Sequence, residues 1–247
     1  MDRTVKGLVL REATYKDNDK ILTLLTTDGE LVSTKARGVK KLTSRIRAAC
    51  QILAFSEFTI SEARGFSAVK EAEAIELFLS MRTDIERLSL AMYFAQIGEI
   101  VAQEDAPSSD LLRLLLSALN ALCKGQAQPL VKAAFELRLM ALSGYAPDVS
   151  TCAVCGNSSP NRFNVTQAVV QCASCAKAEN ELCLPISAGA LDAMRYVLSA
   201  PLERVFSFTL GMQTAEEFGG VAEAYLLTRL ERGFSALDFY HSLQVTT

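Results

Sequence analysis

Residues 152 to 175 read CAVCGNSSPNRFNVTQAVVQCASC, two Cys-x-x-Cys pairs separated by sixteen residues. That spacing belongs to four-cysteine zinc sites, in which each pair lies on a tight turn and gives two thiolates to one tetrahedron. Two disulfides would need an oxidising compartment, and Met1-Asp2-Arg3 opens no apolar segment of the signal type. A thioredoxin-like pair would sit alone at the start of a helix, whereas Gly156, Asn157, Ser158, Ser159 and Pro160 follow the first pair here. Cys152, Cys155, Cys172 and Cys175 are therefore expected to hold one zinc ion; iron in a rubredoxin-like arrangement would use the same four sulfurs. Four thiolates leave no open position for water or substrate, and the one histidine, His241, is far along the chain. The expected role is structural. Cys183, between Leu182 and Leu184, reads as a buried apolar thiol rather than a fifth ligand.

A second cluster is electrostatic. Lys35, Arg37, Lys40, Lys41, Arg45 and Arg47 put six cations and no acid into thirteen residues. Gly38, Thr43 and Ser44 mark the segment as a loop leaving a strand, which would hold the charges in solvent and near one another. The two readings are a solvated basic face and a phosphate-binding patch. Contact with a single strand through four to six of these cations would give log K against log salt a slope of about −3 to −4. Tyr15, Phe55, Phe58 and Phe66 are aromatic candidates for stacking on bases, each also a candidate for the core. Catalytic groupings are few: Asp17-Asn18-Asp19, with Glu12, offers carboxylates for a divalent cation but reads better as a hairpin end. Phosphate-loop, Gly-x-Ser-x-Gly and Gly-x-Gly-x-x-Gly motifs do not occur.

These groups need a scaffold, and half of the 247 residues are hydrophobic, enough for a sizeable core. Without an apolar run of membrane-spanning length, and with seven cysteines to be kept reduced, a cytoplasmic setting is expected. The net charge of −3 argues nothing for nucleic acid, but residues 1–79 carry 13 Lys/Arg against 11 Asp/Glu, a local excess of two. Strands are expected over 4–11, 20–27, 31–36, 52–61 and 67–74, short, partly alternating or β-branched, with turns at Asp28-Gly29 and Arg64-Gly65. Five strands in eighty residues suit a small closed barrel. From Thr83 the period becomes helical. Thr83-Asp-Ile-Glu86 has the form of a capping box, with Leu90, Phe94, Ile97 and Val101 on one face. Pro107-Ser108-Ser109 opens a leucine-rich helix with little polar face, and a third helix over 130–142 starts behind Pro129 and ends at Gly144. Helices resume over 187–198 and 214–232. Phe135, Leu137, Leu226 and Leu230 are expected in the core.

The opening VLREATYKDNDKILTLLTTDGELVSTKARGVKK, followed by Ser44, resembles that of the bacterial recombination mediator family RecO, most of all at Ala36-Arg37-Gly38-Val39-Lys40-Lys41. The order of barrel, helices and four-cysteine insertion is similar across essentially the whole chain. The resemblance implies an α+β multidomain protein: an OB-fold barrel over 1–80, a helical domain in two parts over 81–148 and 185–247, and a zinc module without catalysis over 149–184. It implies a non-enzymatic, nucleoid-associated protein of DNA repair that binds single- and double-stranded DNA, anneals complementary strands, and works with RecR to help RecA replace single-strand-binding protein. It also implies contact with the C-terminal tail of that binding protein, for which a helical groove bordered by Arg113, Lys132 or Arg138 is the expected receptor. The residues by themselves support a zinc-stabilised nucleic-acid binder. Two rivals are a metal-dependent nucleic-acid hydrolase acting through Asp17 and Asp19, and an adaptor that docks through its zinc module without touching DNA.

Overall fold

The structure is a computed structural model that describes residues 2–63, 66–104, 108–176 and 182–244; the side chains of Ala63, Phe66 and Glu104 lie outside the description. In chain order its elements are β1 (Asp2–Tyr15), β2 (Asp19–Thr26), β3 (Leu31–Ala36), β4 (Phe55–Ala63), β5 (Phe66–Glu76), α1 (Ile85–Glu104), α2 (Ser109–Cys123), α3 (Gln128–Leu142), β6 (Arg162–Asn164), β7 (Val169–Gln171), β8 (Cys183–Pro185), α4 (Ala188–Ser199), α5 (Met212–Leu230) and α6 (Ser235–Gln244). Short 3-10 turns occur at Leu79–Thr83 and Leu202–Arg204. No helix among the described residues is long and apolar enough to cross a membrane.

β1 to β5 close a barrel in the order β1-β2-β3-β5-β4. Alternation dictates which side chains point inward: Val9, Leu22, Leu24, Val32, Phe58 and Ile60 meet in the barrel core, nearly all without solvent exposure. Each large apolar side chain so buried contributes about 1.5–3 kcal/mol. β1 is long enough to pair with both β2 and β4 because its register shifts between Val9 and Arg11, a bulge that bends it around the closure. The opposite seam is short: β3 and β5 run parallel and pair only at Lys35↔Ala68 and Ala36↔Val69.

The chain divides into two compact units, one formed by residues 1–123 and 234–247, the other by 124–233. In the first, α1, α2 and α6 accompany the barrel. α1 is capped by Asp84, whose Oδ1 accepts the backbone N–H groups of Glu86 and Arg87; the expected cap, Thr83, instead donates its hydroxyl to the Ser80 carbonyl. The carboxylate wins because it takes two unpaired N–H groups and carries the charge that a helix N-terminus favours. Leu90, Phe94, Ile97 and Val101 are buried as their spacing requires, and so are six of the seven α2 leucines, Leu111, Leu112, Leu114, Leu115, Leu119 and Leu122; Leu116 is half-buried. α6, absent from the sequence reading, lies against α1, with Phe234 edge-on to Tyr93 at 5.5 Å.

In the second unit α3 packs on α5 and α4 on both. Pro129 lies in the first turn of α3, and Gly144 follows its end at a φ of 82°. Phe135, Leu137 and Leu226 are core; Leu230, near the end of α5, is only half-buried. Ser187 caps α4 by accepting the Ala190 N–H. Between α3 and α4 the chain forms the four-cysteine module, built on a three-stranded sheet ordered β7-β6-β8. The fold class is that expected from sequence: a closed five-stranded barrel, then helices, with a four-cysteine cluster set among them.

Candidate metal centre and nucleic-acid interface

Each Cys-x-x-Cys is a tight turn. The Gly156 N–H bonds the Cys152 carbonyl at 2.9 Å, and the Cys175 N–H bonds the Cys172 carbonyl at the same distance. Gly156 has a φ of 73°, a conformation in which a side chain would be strained. A hydrogen bond of 2.9 Å from the Ala153 N–H to the Val170 carbonyl stitches the first turn to β7 and so toward the second pair. The Sγ atoms of Cys152, Cys155, Cys172 and Cys175 consequently all lie within 4.8 Å of one another. Metal–thiolate bonds of about 2.3 Å in a tetrahedron place sulfurs about 3.8 Å apart; Cys155 Sγ and Cys172 Sγ are 3.8 Å apart. A disulfide would need about 2.05 Å, and no disulfide joins any of the seven cysteines. The donor set therefore fits one tetrahedral metal ion.

The cluster's electrostatics agree. The Cys155 backbone N–H, aided by those of Cys172 and Val154 against the cost of burial, brings the Cys152 thiol down to about 6. Cys155 and burial push Cys175 up to about 11. One thiolate forms readily and opposes the next, a repulsion that a bound cation reverses. The module is fastened to α4 by Arg195, whose guanidinium donates to the carbonyls of Val149, Ser150 and Ser158 at 2.9, 2.6 and 3.0 Å. On its other side Phe163 meets Tyr225 of α5 edge-on at 5.5 Å. Cys183 stands apart from the cluster and is partly exposed, its sulfur 4.0 Å from Gln171 Oε1. The expectation of a buried thiol fails because β8 is an edge strand of a very small sheet.

The basic segment is organised differently. Arg37, Lys40, Lys41, Arg45 and Arg47 are all exposed, along successive turns between β3 and β4. The loop is held from beneath: Val39, Ala49 and Cys50 are buried, and burial drives the Cys50 thiol up to about 12, an inert core group. Its entrance is pinned by Asp19, which accepts the Gly38 N–H at 2.8 Å and pairs with Lys35 at 3.3 Å. The Gly38 N–H, followed by Lys35, holds the Asp19 carboxyl below its usual value. Gly38 itself takes a φ of 63°. Lys35 is thus the exception among the six cations: half-buried, tied to Asp19, with its Nζ 4.2 Å from the centre of the Tyr15 ring.

Of the aromatic candidates Phe58 is core, Phe55 is half-buried on β4, and Phe66 has its side chain outside the described residues. Tyr15 is 39 % exposed and borders a cleft of about 410 Å³ that Lys35 and Arg37 also line. The acidic residues near it do not assemble: Glu12 pairs with Lys20 at 2.7 Å and Asp19 with Lys35. Among the described residues the four cysteines are the one grouping that could hold a metal ion. All three cations expected beside a helical groove are also engaged. Lys132 is buried between Glu136 and Glu223 at 2.9 and 2.6 Å, and Arg138 donates to the last carbonyls of α4, Val197 and Leu198. Arg113 is exposed and pairs with Asp110 along α2. The clamp role of Asp19 and the part of Arg195 escaped the sequence reading because their partners lie 16 to 46 residues away, where no local pattern marks them.

Comparison with known proteins agrees with this arrangement. Residues 1–78 match the family model described as Recombination protein O N terminal, and residues 82–238 that of Recombination protein O C terminal. DNA repair protein RecO of Acetivibrio thermocellus is 32% identical over 240 residues, covering 96% of this chain and 95% of its own. The proteins of the same name from Roseiflexus sp. and Symbiobacterium thermophilum are 30% and 29% identical, covering 95% and 97% of this chain and 83% and 97% of their own. With both family models matched in sequence order, and a barrel and a cysteine knuckle where the resemblance required them, the chain belongs to the RecO family of DNA repair proteins.

Proposed function

We propose that this chain is a non-enzymatic recombination mediator that binds single- and double-stranded DNA through its barrel, anneals complementary strands, and helps load RecA onto DNA coated with single-strand-binding protein. The observation that carries the reading is the loop of Arg37, Lys40, Lys41, Arg45 and Arg47, five exposed cations on a backbone anchored by buried Val39 and Cys50 and by the Asp19 clamp. A charged surface whose backbone is already ordered can exchange its counterions for phosphates without also folding. Lys35 joins the set when a phosphate competes with Asp19 for it. Neutralising two strands at once favours their annealing, and phosphate contacts carry little sequence information, so binding is nearly sequence-independent.

Zinc is the ion that suits the four thiolates, and its role is to hold the module's fold. RecR, the C-terminal tail of single-strand-binding protein and, indirectly, RecA are the proposed protein partners. Residues 1–80, 81–148, 149–184 and 185–247 serve as working domains for constructing variants. The deciding experiment is a salt titration of affinity for single-stranded DNA: a slope of about −3 to −4 is expected for four to six phosphate contacts, and an affinity indifferent to salt would overturn the reading.

A further inference from the structure

The barrel wall is thin where β3 meets β5. β4 and β5 pair along most of their length, whereas β3 and β5 share only two register pairs, with the Ser67 hydroxyl donating to Thr34 Oγ1 at 3.0 Å beside them. The cleft of about 410 Å³ opens over this seam. Its walls combine three chemistries: the exposed ring of Tyr15, the cations Lys35 and Arg37, and the hydroxyls of Ser33 and Ser67. Pockets for small ligands run from about 300 to 1,000 Å³, so the cleft is of a size that suits one nucleotide.

We infer that the cleft takes a single unpaired nucleotide, its base laid on the Tyr15 ring and its phosphate held by Lys35 and Arg37. This deepens the proposed DNA binding and rests on it. In the free protein the Lys35 ammonium occupies the ring, 4.2 Å from its centre, and is tethered there by Asp19 at 3.3 Å. It is a displaceable occupant. A phosphate beside Arg37 offers Lys35 a charge-assisted partner, and the ring face it vacates is a flat apolar platform for a base. The Ser33 hydroxyl can donate or accept, and that of Ser67, whose proton goes to Thr34, can accept from a base edge. A base in a duplex must leave its stack to enter, and that requirement makes the cleft select unpaired strands, while the loop cations serve both forms.

The test uses the full chain with oligothymidylate carrying one 2-aminopurine, and a duplex of equal length. With Tyr15→Ala, single-strand affinity is expected to fall at least about fivefold with its salt slope unchanged. Duplex affinity should hold, Tyr15→Phe should bind as the parent does, and the 2-aminopurine emission should respond to the parent and to Tyr15→Phe but not to Tyr15→Ala. Tyr15 is exposed at a strand end, and circular dichroism checks that each variant is folded. If Tyr15→Ala binds the single strand like the parent while Lys40→Glu/Lys41→Glu weakens it, the cleft is not a nucleotide site and the proposed function survives. Equal loss on both DNA forms would reduce the ring to a prop for Lys35 and overturn the inference. A parent chain that binds neither form overturns inference and function together.

Discussion

The cysteine knuckle and the basic loop are both clusters of polar side chains, and they are built on opposite plans. In the knuckle four sulfurs converge within 4.8 Å, and the turns around them serve that convergence. In the loop five cations diverge into solvent, and what is fixed is the backbone beneath them, through Val39, Cys50 and the Asp19 clamp. A convergent site carries its own ligand geometry and must be spaced accordingly in sequence. A divergent one waits for a polyanion to supply the order, so composition matters in it more than spacing. Lys132 with Glu136 and Glu223 belongs with the convergent kind, although its third member comes from a different helix.

Removing the metal should break the comparison most severely. Metal binding at such sites is worth on the order of 10 kcal/mol of local folding free energy, so chelation, or Cys155→Ser, should abolish metal content by mass spectrometry. Hydrogen-exchange protection over 149–176 should be lost with it, while the barrel strands keep theirs. Next in size is Lys132→Ala, which leaves buried Glu136 facing half-buried Glu223 and should cost about 3–5 kcal/mol in denaturant unfolding; Lys132→Met should cost less. Burial lowers the Lys132 pKa, but Glu136 and Glu223 outweigh it and raise it above the ordinary lysine value. The pairing is therefore intact at neutral pH and is lost only as alkaline pH passes that raised value.

The divergent site should respond in binding rather than folding. Lys40→Glu/Lys41→Glu should leave the thermal midpoint nearly unchanged and flatten the single-strand salt slope by about 1.4, the share of two phosphate contacts. The smallest effect belongs to Asp19→Ala, which frees the loop entrance and should speed amide exchange at Gly38. Because the Asp19 carboxyl is held below its usual value, the clamp acts fully above the ordinary aspartate pKa of about 3.9. As pH falls through the lowered value, parent and variant should converge.

The same contrast explains what could be read in advance. The barrel was legible because alternation and turn residues repeat over whole strands: the five expected spans overlap β1 to β5, with β3 matching at 31–36. The cysteines were legible because two turns and one ion leave few possible spacings. β6, β7 and β8 are three residues each, too short to show any period. α6 was missed because only Leu237 and Tyr240 are buried within it, and its burial depends on Tyr93 and α1, remote in sequence. The grip of Lys132 by Glu223 and of the knuckle by Arg195 likewise joins distant segments, and such partners are chosen by tertiary packing.

The placement of α6 bears on how the molecule is made. The chain leaves its first unit at Cys123, builds all of the second, and returns at Phe234 to lay α6 on α1. α1 thus lacks the helix that packs on it until residues 124–233 have been made, and closing so long a loop is slow. Ending the chain before Phe234 would leave Tyr93 without that ring, so damage beyond residue 233 would be felt on α1.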